Sequence, residues 1–197
     1  PLQLALDVQG AMSDGDWLVI DGGNTHFWSE IAVNIAGFQG KKLGGILHPG
    51  TFSLLGVGVS FAVSAKNVDP NRNVVLISGD GAFLSGGLSI EAAFQENRPI
   101  VVVIDNNGGL DCISQQQERL FASGTHYATD FRDIPFHAMF EGLGGHGELV
   151  TRREDIIPAV QRAMASGKTA CVNVKVKGVI SPIVLATTSK RDKASIE

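Results

Sequence analysis

Two runs of branched aliphatic residues, Val74-Val75-Leu76-Ile77 and Ile100-Val101-Val102-Val103-Ile104, constrain this chain more than any other feature of it. Each is short and bounded by polar residues, and neither alternates polar with apolar positions. Such runs read as strands buried on both faces, the pattern of a parallel sheet covered by helices. The segment between them could form one helix, which makes the two runs neighbouring parallel strands. Asp80 and Asn107, just beyond the two runs, then come side by side at the carboxyl edge of the sheet.

The rest of the chain repeats the alternation. Leu2 to Met12 is expected as a helix, Asp16 to Asp21 as a strand, Thr25 to Ile35 as a helix and Gly44 to Leu47 as a short strand. Thr51 to Ala65 is almost wholly apolar or small and reads as one buried helix, followed by a turn from Val68 to Asn73. Strands are expected over 74–78 and 100–104, with a helix over 87–96. Gln115 to Gln117 reads as the start of irregular chain. Ile134 to Gly142 is expected as a helix with Pro135 in its first turn, and Gly147 to Val150 as a strand. Arg153 to Ser166 is expected as a helix capped by Thr151, with Glu154 at the capping-box position and Gly167 as its stop. Ala170 to Val176 is the last strand. Residues 1–180 thus form a three-layer α/β domain, a parallel sheet with helices on both faces. Residues 181–197 form a polar, basic tail that includes Lys190-Arg191-Asp192-Lys193.

Bulk properties narrow the classes. The chain has 197 residues, 44% hydrophobic and 18% charged, enough for one domain with a sizeable core. A net charge of -4 gives no footprint for nucleic acid or an anionic membrane. There is no apolar run of about 18 residues to span a bilayer, and no signal peptide is visible. Two cysteines, Cys112 and Cys171, cannot build a disulfide framework, so the expected location is a reducing cytoplasm. The 24 glycines cluster near 22–23, 37–58, 79–87, 108–109 and 142–147, positions that suit tight turns beside a ligand.

The chemistry concentrates between Gly79 and Asn107. Asp80 follows a strand and sits between two glycines, so its carboxylate can reach beyond the sheet edge. The backbone of Gly79, Gly81 and Ala82 at a helix start suits a diphosphate. Asn107 offers a side-chain oxygen, and the Gly108-Gly109 turn can present a carbonyl. These hard oxygen donors suit magnesium, with diphosphate oxygens and water completing an octahedron. GDG alone is common in hairpin turns and NN in loops; their pairing at the ends of consecutive strands carries the inference. A nucleotide-binding loop is the rival, but GDGAFLSGG fails G-x-G-x-x-G at its third glycine. The five histidines show no HxxxH spacing and the cysteines no CxxC, so zinc is not expected. His26 and His48 follow strand ends and are the candidates for proton transfer. His137 falls on a helix and reads as structural, and His126 lies in irregular chain.

A GDG followed, one helix and one strand later, by NN resembles the thiamine diphosphate signature. Gly50-Thr51-Phe52-Ser53-Leu54-Leu55-Gly56-Val57-Gly58 resembles the upstream stretch of oxalyl-CoA decarboxylase and the 2-hydroxyacyl-CoA lyases. Asp21-Gly22-Gly23-Asn24-Thr25 resembles their first strand end, and Phe83-Leu84-Ser85-Gly86-Gly87 the turn after their GDG. The likeness covers about residues 1–180, the pyrophosphate-binding domain; the acetolactate synthases are also similar. The resemblance implies that Asp80, Asn107 and the Gly109 carbonyl hold magnesium, and that Gly81 and Ala82 bind diphosphate through backbone N–H groups. It places Leu55 under the thiazolium, where it bends the cofactor, with the Ser53 carbonyl and Leu55 N–H on the aminopyrimidine. The bend brings the aminopyrimidine amine beside the C2 proton that must leave. Read without that context, Leu55 is a core leucine. Asn24 reads as a helix N-cap, as a group facing the diphosphate or substrate, or as both.

The resemblance also implies a partner. The glutamate that activates the aminopyrimidine belongs to a separate pyrimidine-binding domain, normally of another subunit. Glu91, on the helix after GDG, and Glu118, downstream of NN, do not replace it. The chain is expected to work within a homo- or hetero-oligomer. Leu110 to Gln115 would face the substrate. The glutamate of pyruvate-decarboxylase-like enzymes is absent at Ile113, and the tyrosine of the oxalyl-CoA enzymes is absent near Asp111 and Cys112. Cys112 reads as a small buried hydrophobe or a reactive thiol, and Asp111 as a substrate contact or a turn residue. The basic tail reads as a solvated end or as a lid on CoA phosphates, in which case deleting residues 186–197 raises the KM for a CoA thioester. The implied activity is that of a carbon–carbon lyase cleaving a 2-hydroxyacyl-CoA to an aldehyde or ketone plus formyl-CoA. The rivals are a 2-oxo acid decarboxylase or acetolactate-type synthase and, from another class, a non-catalytic cofactor-binding module for regulation or assembly.

Overall fold

The two aliphatic runs lie side by side at the centre of a parallel sheet in the computed structural model, which describes residues 1–121 and 123–189. The strands are β1 (Trp17–Asp21), β2 (Gly45–Leu47), β3 (Val74–Gly79), β4 (Val101–Asn106), β5 (His146–Val150) and β6 (Ala170–Lys175), in the order β2-β1-β3-β4-β6-β5. Every neighbouring pair is parallel. The helices are α1 (Leu2–Ala11), α2 (Asn24–Phe38), α3 (Gly58–Val68), α4 (Asp80–Gly86), α5 (Glu91–Gln95), α6 (Asp111–Leu120), α7 (Phe136–Gly142), α8 (Ile156–Ala165) and α9 (Pro182–Ser189). None of the described helices is long and apolar enough to cross a membrane.

Alternate residues of each strand serve opposite faces, which is why the central strands stay apolar until their carboxyl ends, where Ser78, Asp105 and Asn106 stand. Leu18, Ile20, Val75, Ile77, Val101 and Val103 pack with Leu4 and Val8 of α1, Ala32 of α2 and Val160 of α8. Val19, Leu76, Val102 and Ile104 pack with Val59 and Val63 of α3, Phe83 of α4 and the phenyl rings of Phe136 and Phe140 of α7. Each such Val, Leu or Ile contributes about 1.5–3 kcal/mol relative to exposure. A slip of one residue in register would exchange the two faces.

Four expectations are corrected. The apolar stretch from Thr51 to Ala65 is not one helix. A short 3-10 turn at Gly50–Phe52 gives way to a loop, and α3 begins only at Gly58. Ser53 (φ 48) and Gly56 (φ 90) take left-handed backbone that stops a helix. The helix expected over 87–96 is split into α4, a 3-10 turn at Gly87–Ile90 and α5, with the start moved back to Asp80. Gln115 to Gln117 lie inside α6 rather than in irregular chain. Straight-chain Gln, Glu and Arg are good helix formers, and this helix is polar because it lies on the surface; Asp111 in its first turn and Arg119 in its last also suit its dipole. The capping box at Thr151 and Glu154 does not form: a 3-10 turn at Arg153–Asp155 precedes α8, no side chain caps it, and Arg152 instead pairs with Asp155 at 2.8 Å. Gly167, at φ 64, follows α8 where its stop was expected. The basic run Lys190-Arg191-Asp192-Lys193 lies outside the described residues.

Candidate functional site

Strand order reverses at β1. The chain steps outward from β1 to β2, then returns to form β3 on the other side. Open α/β sheets bind ligands outside the carboxyl ends of the strands at such a reversal. A cleft of ≈ 220 Å³ lies there. Asn24, Ser53, Leu55, Gly79, Asp80, Gly81, Ala82, Asn107 and Gly109 all line it, as the sequence suggested, and so does His26. His48 is not among the lining residues; its ring sits behind the wall, 5.0 Å from that of His26.

The register of β3 on β4 sets Gly79 opposite Asp105, which brings Asp80 against the turn beyond β4. Asp80 Oδ2 accepts the amides of Gly108 at 2.8 Å and Gly109 at 3.1 Å, and its Oδ1 accepts that of Gly81 at 2.7 Å. The Gly81 amide, expected to serve a diphosphate, is thus engaged by Asp80. Asn107 Oδ1 accepts from the Gly109 amide at 3.2 Å. Gly109 must be glycine, because a Cβ there would meet the Thr129 carbonyl oxygen at 2.5 Å. Carboxylate and carboxamide therefore converge on one turn.

The electrostatics of this turn favour a cation. Burial pushes the Asp80 carboxyl up to about 6 despite three backbone N–H bonds that pull it down, and Asp105 adds to the rise. Asp111, the first residue of α6, is pushed to about 6 by burial and then by Asp80 and Asp105. Asp105 is 1% exposed; the Thr25 hydroxyl donates to its Oδ2 at 2.8 Å and its Oδ1 has no partner. Asp80 and Asp111, both held up by burial and by neighbouring carboxylates, line the cleft with a carboxamide and a turn carbonyl. That is an all-oxygen donor set of the kind hard divalent cations take, so the residues present fit a magnesium ion and the diphosphate it would carry. Asp105, and with it the bond it accepts from Thr25, escaped the sequence reading; the signal was an acidic residue closing an apolar run directly before Asn106 and Asn107.

Asp21, at the end of β1, has a different task. Its Oδ2 accepts the amides of Gly56 at 3.0 Å and Gly58 at 2.7 Å, which starts α3 and turns the 53–57 loop so that Ser53 and Leu55 line the cleft. Burial raises its carboxyl above the usual range, against those same bonds. Gly22 follows with φ 132, and a Cβ there would lie 3.3 Å from the Gly79 amide, so the ends of β1 and β3 approach closely only because it has none.

Asn24 is neither a cap nor free. Gly23 holds the N-cap position of α2 without a side-chain bond. Asn24 Nδ2 donates to Gln115 Oε1 at 2.9 Å, and its Oδ1 accepts the Ser181 amide at 3.1 Å. Trp28 Nε1 donates to the Val179 carbonyl at 2.9 Å, and the Asp111 carboxylate lies where a Cβ on Gly178 would fall. These contacts strap the segment before α9 along the cleft wall. The Cys112 thiol, raised by burial, lines the same wall against Gly23. Cys171 is sealed in β6, and neither cysteine forms a disulfide. His137 Nδ1 lies 3.3 Å from Asn173 Nδ2, a structural contact as expected. His126 bonds Glu118 and Asp130 and does not line the cleft.

Comparison with known proteins agrees with this geometry. A family model described as "Thiamine pyrophosphate enzyme, C-terminal TPP binding domain" matches residues 21–174. The "Acetolactate synthase large subunit IlvG" of Mycobacterium tuberculosis is 39% identical over 129 residues, 65% of this chain and 23% of that protein. The "2-hydroxyacyl-CoA lyase 2" of Danio rerio is 28% identical over 181 residues, 88% of this chain and 28% of that protein. The "Acetolactate synthase, catabolic" of Raoultella terrigena is 26% identical over 187 residues, 94% of this chain and 32% of that protein. The chain therefore spans about a quarter to a third of the length of the curated relatives it matches.

Proposed function

We propose a function on this premise: the chain belongs to the thiamine pyrophosphate enzymes, and residues 21–174 are their C-terminal, cofactor-binding domain. In this reading it holds the metal and diphosphate end of the cofactor in a carbon–carbon lyase. The observation that carries the reading is the convergence of Asp80, Asn107 and Gly109 on one turn.

Magnesium would be held by Asp80, Asn107 and the Gly109 carbonyl. The backbone of Gly79, Gly81 and Ala82 would border the diphosphate, and Ser53 and Leu55 the ring end. Thiamine diphosphate, when bound, supplies an electron sink next to a carbonyl. The chain's own residues do the rest. Asp80 must be ionised to hold a metal, and near neutral pH it is, since its carboxyl titrates at about 6. Leu55 offers an apolar surface held in place by the Asp21 staple. The strap before α9 excludes water along one wall.

A pyrimidine-binding partner completes this site. No glutamate lines the cleft among the described residues. Its ≈ 220 Å³ falls below the roughly 300–1,000 Å³ of complete small-molecule sites, as half of a shared site would. Phe52 and Leu54, beside Ser53 and Leu55, are 95% and 64% exposed, apolar surface that suits burial against a partner.

The proposed substrate is a 2-hydroxyacyl-CoA, cleaved to an aldehyde or ketone plus formyl-CoA; the lyase relative, alike over most of the chain, supports it. The higher identity to an acetolactate synthase favours a second reading, a synthase or decarboxylase acting on a 2-oxo acid. Titration with thiamine diphosphate, with magnesium and with EDTA, tests the cofactor site; binding indifferent to metal would remove the role given to Asp80. Exchange of the cofactor C2 proton, with and without a pyrimidine domain, tests the partner, and full exchange by the chain alone would overturn that requirement. Formyl-CoA or acetolactate among the products of the completed enzyme then decides the substrate. Cofactor binding with no turnover in any pairing would mark a regulatory module instead.

A further inference from the structure

Three side chains meet behind the cleft, away from the Asp80 turn. His26 and Glu30 stand one turn apart on α2, and His48 follows the end of β2. Glu30 Oε1 lies 3.0 Å from His26 Nε2 and 3.9 Å from His48 Nδ1. One ligand atom from each residue falls within 4.8 Å of the others. The His26 side chain is 6% exposed. Its Nε2 is sealed from solvent and makes no hydrogen bond; its neighbour is the Glu30 carboxylate at 3.0 Å, so a buried polar nitrogen points into the cluster.

We propose that His26, Glu30 and His48 bind a borderline divalent cation, zinc before others, at a site separate from the diphosphate turn. Zinc held tetrahedrally at about 2.0–2.1 Å sets neighbouring donors roughly 3.3 Å apart. The separations of 3.0 and 3.9 Å bracket that value. Two imidazoles and a carboxylate select zinc and its neighbours, whereas the all-oxygen set around Asp80 suits magnesium, so the two sites divide the metals between them. Glu30 and His48 are 39% and 38% exposed, which leaves the remaining coordination position open to water. The Gly50 amide, 3.2 Å from His48 Nδ1, gives up that bond when the ring takes the metal.

The placement gives the ion an effect on the cleft. His26 lines the cleft, and His48 opens the segment that carries Ser53 and Leu55 to it. A metal there clips that segment to α2. The sequence hid the site because its ligands are an i, i+4 His and Glu on one helix face and a histidine from a different element, not an HxxxH or CxxC pair.

The test is zinc binding to the 197-residue chain in excess magnesium, read by competition with a chromophoric chelator. One equivalent is expected to bind, with X-ray absorption showing nitrogen and oxygen donors at about 2.0 Å and imidazole scattering. Glu30→Gln and His48→Ala each weaken binding roughly tenfold or more, at least the loss that follows removal of an outer partner of a metal ligand. Both positions are part-exposed, and circular dichroism confirms that the variants fold. His126→Ala, which removes a histidine paired with Glu118 and Asp130 away from the cluster, leaves binding unchanged. No saturable binding, or binding lost in His126→Ala and kept in His48→Ala, overturns the proposal.

Discussion

Asp80, the residue that follows β3, accepts the amide of Gly108, which lies beyond the end of β4, at 2.8 Å. The proposed metal ligand is therefore also the clasp on the turn that carries the other two oxygen donors. Asp80→Asn should abolish magnesium-dependent binding of thiamine diphosphate while the far-ultraviolet circular dichroism stays native. Asp80→Ala should in addition leave buried amides unpaired and lower stability by about 1–3 kcal/mol in urea unfolding. Metal-dependent binding retained by Asp80→Asn would count against the assignment.

The metal-free chain should be more stable at pH 5.5 than at pH 7.5. Asp80 and Asp111 titrate at about 6 in the fold, against 3.8 unfolded, because burial disfavours their charged forms. Their contribution is fully present below 3.8 and is lost as pH rises through about 6, since the folded state binds the extra protons. His26, lowered by burial from 6.5, opposes this below that pH, while Asp21 and Asp105, also raised by burial, act with Asp80 and Asp111. Thermal midpoints at the two pH values test it. The difference should shrink in an Asp80→Asn, Asp111→Asn double variant, and also in excess magnesium. A higher midpoint at pH 7.5 would show that these carboxyls do not dominate.

Removing the staple on the 53–57 loop should be felt locally and globally. In Asp21→Ala the amides of Gly56 and Gly58 lose their acceptor. The expected cost is about 1–3 kcal/mol in urea unfolding, with faster amide hydrogen exchange over residues 54–58. Unchanged exchange there would mean that another contact holds the loop.

Two glycine substitutions should act in opposite directions. Gly109→Ala drives a methyl group against the Thr129 carbonyl and should cost about 1–3 kcal/mol together with metal binding. Gly37→Ala, inside α2 with nothing within 4 Å of the new Cβ, should stabilise by up to ~1 kcal/mol through helix propensity. Thermal midpoints of the two variants against the parent chain check both signs.

The centre of the fold was legible because β1, β3 and β4 are buried on both faces, which makes each a continuous apolar run up to its polar carboxyl end. The Asp80–Asn107 pairing followed from that alone. The 53–57 loop was not legible, because its residues are as apolar as a buried helix and the group that bends it, Asp21, lies 35 residues upstream of Gly56. Helix α6 was hidden for the opposite reason: a surface helix of glutamines reads as loop when polarity is taken for irregularity. Asn24 kept its roles open in the sequence because both of its partners, Gln115 and Ser181, are distant and neither belongs to its own helix.

The bond from the Ser181 amide to Asn24 spans 157 residues. Contacts of such separation form late, since the closure entropy must be met before they contribute. During synthesis β1 and β3 can pair as soon as both have emerged, and the metal turn follows with β4. The cleft wall, by contrast, waits for Ser181, 157 residues after Asn24. Ligands that fill this cleft therefore meet its wall only after the sheet has formed, and do not guide the collapse that produces it.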